Sequence, residues 1–246
     1  MLSEMELLQL CQRLNLSKQS RQIISEIRSL PPARRVGSAA GNVSVRYPSR
    51  KMGVIIQAES HRNELAGIYE KEYDPEILEY YDQPSRIKLT YEAKNGRRVG
   101  IWHTPDYFVI QSDRIGWEEW KMEAELPSLA EKMPHRYVKR GNVWYCPPGE
   151  EHAEQFGFFY RVRSSAEIDW GLQRNLLFLE DYLHANKEDL DEKSVYLVKS
   201  LVAEHPGITL QELLVLGKFS SDVVFSMIAK RQIYVDLRST PLSELQ

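Results

Sequence analysis

The chain has 246 residues, 42% apolar and 27% charged, with a formal net charge of −3 and two cysteines, which suits one large or two small soluble domains with ample core. No apolar run nears the roughly eighteen residues that span a bilayer, and Cys11 and Cys146 form no C-x-x-C, which argues against a membrane span, a zinc site and a disulfide framework. The histidines at 61, 103, 135, 152, 184 and 205 make no H-E-x-x-H and read as surface or core residues, and the acidic start MLSEMELLQL is no signal peptide, so a cytoplasmic protein with no membrane partner is expected.

In chain order, residues 3–30 place Leu7, Leu10, Cys11 and Leu14, then Ile23, Ile24, Ile27 and Leu30, at helical spacing. Ser17, Lys18 and Arg21 lie between the two sets, which predicts a helical pair. Pro31-Pro32 ends it, because proline lacks an N–H and disfavours helical geometry in the residue before it. Residues 1–51 carry nine Lys or Arg against three Asp or Glu, a basic front suited to a phosphate backbone. The Arg-, Gly- and Ser-rich stretch from Pro31 reads as a basic arm along DNA, through Arg34, Arg35, Arg46, Arg50 and Lys51, or as a solvated loop. It ends strand-like at Val54-Ile55-Ile56. Ser60 is the N-cap expected for a helix with Glu64 in its first turn and Leu65, Ile68 and Tyr69 on its apolar face, stopping near Asp74-Pro75. A short stretch from Glu76 to Tyr81 leads through Gln83-Pro84 into a strand, Arg86 to Tyr91. The Asn95-Gly96 turn then predicts a hairpin whose second arm runs from Val99 to Ile110.

From Trp102 to Lys121, two short strands carry Pro105-Asp106 at the head of the first and Glu119-Trp120-Lys121 at the end of the second. Side chains alternate across a strand, so Glu119 and Lys121 share a face and Trp120 takes the other, toward the core. Two carboxylates and a lysine converging at a strand edge suit metal-assisted hydrolysis of a phosphodiester. The oxygens hold a hard cation such as Mg²⁺, and the lysine orients or helps deprotonate a water. The same letters, EEWKMEAE, are equally those of a solvent face in which charges alternate with aromatics.

After Lys121, MEAELPSLAEKM reads as a helix, His135 to Tyr145 as a hairpin or loop excursion, and Cys146-Pro147-Pro148-Gly149 as a turn. Phe158 to Arg163 is a strand whose Arg161 and Arg163 serve as DNA-backbone contacts or as plain surface charge. Residues 166–185 predict an amphipathic helix bearing Leu176, Leu177, Leu179 and Leu183, and HANKEDLDEK a linker. Ser194 to Ala203, a Thr209-capped helix from Leu210 to Leu216, a helix from Asp222 to Ala229 opened by Ser220 or Ser221, and a strand from Ile233 to Leu237 have the order of a winged-helix domain. Its last helix offers only Asp222 and Lys230 at its ends, and residues 166–246 carry eight basic against thirteen acidic side chains. Protein docking is therefore favoured there over reading of a major groove.

The pieces ESHRNEL, YYDQP, RIKLTY, HTPDYFVI and WEEWK, in that order over roughly residues 45–125, resemble the TnsA family, the endonuclease subunit of heteromeric transposons. The resemblance implies an α/β fold with a restriction-endonuclease-like core of the PD-(D/E)xK superfamily, a mixed sheet flanked by helices, followed by a small C-terminal winged-helix domain. The expected division is a helical, basic extension over 1–44, a nuclease domain over 45–165 and the C-terminal domain over 166–246. Implied catalytic residues are Glu64, Asp106, Glu119 and Lys121, with Mg²⁺ or Mn²⁺, one ion or two, held by Glu64, Asp106, Glu119 and the Trp120 carbonyl. Gln83 belongs to the Q-P element nineteen residues after Glu64. Glu119 occupies a position where the family also uses glutamine. Glu59 and Glu118 rank lower, since Glu59 precedes the helix and Glu118 faces away from Lys121. The implied activity is cleavage of the 5′ strand at transposon ends in double-stranded DNA, with a DDE-type partner transposase cutting the other strand and an AAA+ ATPase regulator bringing both to the site. An autonomous restriction- or resolvase-like nuclease and a catalytically inactive adaptor are the alternatives, and membership of a longer nuclease-transposase fusion stays open.

Overall fold

The computed structural model describes residues 1–34, 45–58, 63–93, 96–184, 190–239 and 241–242. Arg35, Glu59, Ser60 and the Asn95 half of the hairpin turn lie outside the described residues. The chain divides into two compact units, Met1–Ile168 and Asp169–Gln246.

The first unit opens with α1 (Glu4–Arg13) and α2 (Lys18–Ser29). Ser3 caps α1 in a capping box with Glu6, Ser17 caps α2, and α2 stops at Leu30, ahead of the two prolines. Next come β1 (Val45–Pro48), β2 (Ile55–Ala58), α3 (Asn63–Tyr73), β3 (Ile77–Asp82), β4 (Ile87–Glu92), β5 (Arg98–His103), β6 (Tyr107–Gln111) and β7 (Ile115–Lys121). The unit closes with α4 (Leu126–Lys132), β8 (Val138–Arg140), β9 (Val143–Tyr145), α5 (Pro147–Glu154) and β10 (Phe159–Ser164). Its centre is a four-stranded mixed sheet in the order β10-β7-β6-β3, in which β10 runs parallel to β7 and the other neighbours are antiparallel. The crossover from β7 to β10 carries α4, the β8–β9 pair and α5.

Helices and the β4–β5 pair cover one face of this sheet. Leu7, Leu10, Cys11, Ile24 and Ile27 of α1 and α2 join Ile87, Leu89, Phe108, Ile110, Trp117 and Val162 in a single buried cluster. The N-terminal helices, expected as an extension, thus contribute to the core of the first unit. On the other face, α3 lies against Trp120, and a Cβ added at Gly67 would sit 2.9 Å from the indole ring, so a glycine is what lets the helix come this close. The result is an α/β unit with helices on both faces of a mixed sheet, as anticipated at that level.

The run from Val99 to Ile110 is not one hairpin arm: β5 ends at His103 and, among the described residues, pairs only with β4, whereas β6 begins at Tyr107 inside the central sheet. Pro105, which has no N–H to donate to a ladder, stands in the break. Cys146-Pro147-Pro148-Gly149 is the start of α5 rather than a turn, because proline fits the first positions of a helix, whose N–H groups have no intrahelical partner. Residues 166–185 are not one helix but a 3-10 turn, Ser165–Glu167, followed by α6 (Trp170–Phe178) and α7 (Glu180–His184), with a break at Leu179.

In the second unit, α6 and α7 are followed by α8 (Glu192–Glu204), α9 (Leu210–Gly217) and α10 (Ser221–Ala229). Thr209 caps α9 in a capping box with Glu212. Val198, Leu213, Val224, Met227 and Ile228 are buried. Ile233 to Leu237 is not a strand: it runs as loop and turn, with Leu237 O accepting a hydrogen bond from the buried Asn175 side chain at 2.8 Å. No strand is found in this unit among the described residues, so its backbone polar groups have no ladder to join. No helix of the described residues is long and apolar enough to cross a membrane.

Candidate active site at the end of the central sheet

Asp106 stands where β6 and β7 stop pairing. Its N–H donates to Glu118 O at 3.0 Å, and its carbonyl accepts the Gln83 N–H at 2.9 Å. Its carboxylate Oδ2 accepts the Trp120 N–H at 2.7 Å, replacing the backbone partner the ladder no longer supplies. The side chain is therefore fixed at the rim of the sheet, 15% exposed.

Lys121 meets it from the next strand. Its ammonium donates to Trp120 O at 3.1 Å and lies 3.2 Å from Glu119 Oε1 and 4.0 Å from Asp106 Oδ2. Burial pulls its pKa down, and the Glu119 and Asp106 charges outweigh that and raise it. Glu119 and Lys121 share a face, as alternation requires.

Glu119 is 1% exposed and already crowded with donors. Its Oε1 accepts from Arg136 Nη2 at 2.9 Å and the Tyr137 hydroxyl at 2.7 Å, and its Oε2 accepts from the Tyr160 hydroxyl at 2.7 Å. Burial would push its pKa up, but Lys121, His103, Arg136 and the Tyr137 hydroxyl hold it down to about 2. His103, at the end of β5, completes the ring: Nδ1 accepts from Arg136 Nη2 at 2.9 Å, which leaves Nε2–H to donate to the Tyr160 oxygen at 2.9 Å. This neutral tautomer accords with a His103 pKa lowered to about 4, chiefly by burial, with Arg136 and Lys121 adding to the effect and Glu119 opposing it.

Glu64 approaches from the opposite face, as the second residue of α3, 9% exposed. The fully buried Tyr107 hydroxyl donates to Glu64 O at 3.3 Å. Burial, then the charges of Glu64 and Asp106, keep that phenol protonated well above its usual range, so both carboxylates bear on the same end of the sheet. Asp82, paired across the ladder from Tyr107, adds a smaller effect of the same sign. This 6%-exposed carboxylate accepts the Gln57 N–H at 3.1 Å and has its own pKa raised by burial. Sequence reading passed over Asp82, since it lies within YYDQP where only Gln83 stood out.

Gln83 is a backbone junction. Its φ of +44° is in the left-handed region, its N–H reaches Asp106, and its carbonyl accepts the Ala33 N–H at 2.8 Å. Its side-chain Oε1 is buried and has no hydrogen-bond partner among the described residues.

Glu118 faces away from Lys121 as expected. It lies 2.6 Å from Lys71 Nζ, a charge contact without the alignment of a hydrogen bond, and 3.6 Å from Arg163 Nη1, and it accepts the Trp120 indole N–H at 3.2 Å. Arg163 is an interior clamp, 3.0 Å from Glu70 and 2.8 Å from Glu167, and Arg161 pairs with Glu167. Arg163 therefore lacks the outward charge of a backbone contact, while Arg161, 42% exposed, spends its charge on Glu167. In the basic front, Arg34, Arg46 and Arg50 are exposed, whereas Lys51 turns inward, its ammonium donating to the carbonyls of Lys71, Asp74 and Ile77 and tying the end of α3 to β3.

As a metal centre the residues divide. Asp106 and Glu64 are hard oxygen donors at the sheet end, whereas Glu119 faces two cations and two hydroxyls, an environment that a divalent ion would have to displace. No three His, Cys, Asp or Glu side chains among the described residues are gathered into a group that could hold a metal ion. Arg136, Tyr137, Tyr160 and His103 were not legible as site residues, since they come from three separate segments and carry no local motif. Compared with known proteins, the sequence matches no family model and no curated protein.

Proposed function

We propose that the chain is a metal-dependent DNA endonuclease of the PD-(D/E)xK type with a restriction-endonuclease-like core, acting as the TnsA-like subunit of a heteromeric cut-and-paste transposase. The observation that carries this reading is the Lys121 ammonium held between the Asp106 and Glu119 carboxylates at the rim of two adjacent strands, with the Glu64 helix packed behind them. In this reading Asp106 and Glu64 hold Mg²⁺ or Mn²⁺, which when bound polarises the phosphoryl oxygen and makes water a better nucleophile. Lys121 points its donors at the scissile phosphate or the attacking water. Glu119 is a positioning residue: fixed by Arg136, Tyr137 and Tyr160, it holds the lysine in register with Asp106. Specificity comes from partners, a DDE-type transposase and an AAA+ ATPase regulator, because a chain of net charge −3 holds DNA weakly and through phosphate contacts, which carry no sequence information. The second unit is the docking module, small and acidic.

Cleavage of a strand-labelled transposon-end duplex, with and without the partners, tests this. Nicking of the 5′ strand that needs the partners is expected. Correct cutting by the chain alone moves the reading to an autonomous nuclease. The occupied lone pairs of Glu119 favour one competing account, an adaptor that keeps the fold without the chemistry; its signature is no cutting in any mixture.

A further inference from the structure

The β4–β5 ribbon leads straight into the candidate site and shows solvent an unusual face. Ile87 and Leu89 point inward and are buried. The outward positions are Lys88, Thr90 and Glu92 on β4 and Arg98, Gly100 and Trp102 on β5, with Lys88 opposite Trp102 and Glu92 opposite Arg98. Trp102 is 67% exposed, the large indole of a residue that would normally be covered. Gly100 makes room for its neighbour: a Cβ there would lie 2.7 Å from Lys88 Cε, so the lysine stem lies flat across the glycine and its ammonium stays on the ribbon's surface. Arg86, just ahead of β4, is exposed as well. Arg86, Lys88 and Arg98 form no ion pair among the described residues.

The charge on this segment runs against that of the chain. Residues 86–104 contain five Lys or Arg and a single acid, Glu92, in a protein whose net charge is −3. Location sharpens the point, because His103, the residue after Trp102, turns into the Glu119 cluster, and Asp106 follows three positions later. Arg86, Lys88 and Arg98, in no ion pair among the described residues and set around an exposed aromatic ring, are the chemistry that takes up nucleic acid: the charges displace counterions from phosphates, and the indole packs on a sugar or an unstacked base. A two-stranded ribbon also has the width that a major groove admits.

From these features we infer that the outward face of the β4–β5 ribbon is a DNA-docking surface, with Arg86, Lys88 and Arg98 on phosphates and Trp102 packed beside them, leading the backbone toward Asp106. The inference rests on the nuclease reading only for the identity of the substrate. It replaces the basic front as the main contact, since Lys51 there is already committed to carbonyls.

The test is fluorescence anisotropy of a labelled duplex with the full chain in EDTA, so that binding is read without cutting, across about 50–200 mM KCl. Changing Arg86, Lys88 and Arg98 together to Ala lowers the slope of log affinity against log salt by about 2.7, at about 0.9 per phosphate contact. Trp102→Ala weakens binding on the order of tenfold, and Arg46→Ala with Arg50→Ala leaves both quantities near wild type. Thermal melting checks the fold. Should the triple variant melt early, Lys88→Gln and Arg98→Gln are read singly, each with a slope loss of about 0.9. An unchanged slope in the ribbon variants, a loss confined to the Arg46 and Arg50 variant, or no binding by the wild type at the lowest salt overturns the proposal. So does a ribbon whose changes abolish association with a partner protein while DNA binding is kept. Cleavage can fail in a separate assay with this binding intact, which distinguishes the two claims.

Discussion

Replacing Glu119 by Gln keeps the volume of the side chain and one acceptor oxygen while removing the charge. If the amide oxygen takes the Oε1 place, facing Arg136 and Tyr137, the amide NH2 meets the Tyr160 hydroxyl. That oxygen already accepts from His103, so the arrangement loses at least one good hydrogen bond. A hydrogen bond to a charged group contributes about 1.5–3 kcal/mol, and breaking a buried ion pair costs about 3–5 kcal/mol because the partners' charge is left uncompensated. Arg136 and Lys121 are the groups so exposed, at 2.9 and 3.2 Å from the lost charge. The expected destabilisation is about 3–5 kcal/mol, read by urea denaturation, with a fall in Tm of roughly 6–20 °C for a unit of this size. In the same variant, Mn²⁺ binding followed by titration calorimetry stays near wild type while Asp106→Asn loses it, because Glu119 serves as an anchor rather than a ligand. A destabilisation under about 1 kcal/mol would refute the buried-network argument. Loss of Mn²⁺ binding in a folded Glu119→Gln protein would restore Glu119 to the ligand set.

Two further outcomes follow from buried charges. His103 titrates near 4 in the folded chain against about 6.5 unfolded, so its contribution is fully present above pH 6.5 and is lost as pH falls toward 4, by about 3 kcal/mol in all. His103→Gln flattens the stability profile across that window, and an unaltered profile contradicts the neutral assignment. On the other face, Lys71→Met strips the 1%-exposed ammonium from Glu118 and destabilises by about 3 kcal/mol; adding Glu118→Gln recovers part of the loss in a double-mutant cycle read by denaturation, and strict additivity would argue against the pair.

How much of this was readable in the letters depends on how local the cause is. Alternation along one strand fixed the relative facing of Glu118, Glu119 and Lys121, and capping chemistry marked the start of α9, because both act within a few residues. Proline was harder to read. Pro147-Pro148 resembles a turn, yet a helix start uses the same missing N–H, and only the chain beyond it decides. The interruption at Pro105, which separates β5 from β6, hid behind a continuous alternating pattern. Lys51 counted as a basic residue in sequence and turns out to cap carbonyls, and Arg163 looked like a strand-surface charge yet is held among Glu70, Glu118 and Glu167. The Glu119 cage drew on residues as far as 41 positions away, a pairing that tertiary packing alone creates. Ile233 to Leu237 has the composition of a strand, but among the described residues its unit supplies no partner strand to make one.

The most direct test of the hydrolytic claim is strand-resolved nicking of a labelled transposon-end duplex in Mg²⁺, in the presence of the partner transposase and regulator, with single changes across the sheet end. The account predicts metal-dependent cutting of the 5′ strand that vanishes in Asp106→Ala, Glu64→Ala and Lys121→Ala and survives at a reduced rate in Glu119→Gln. Undiminished cutting in Asp106→Ala, or none from the wild type in any mixture, would contradict it.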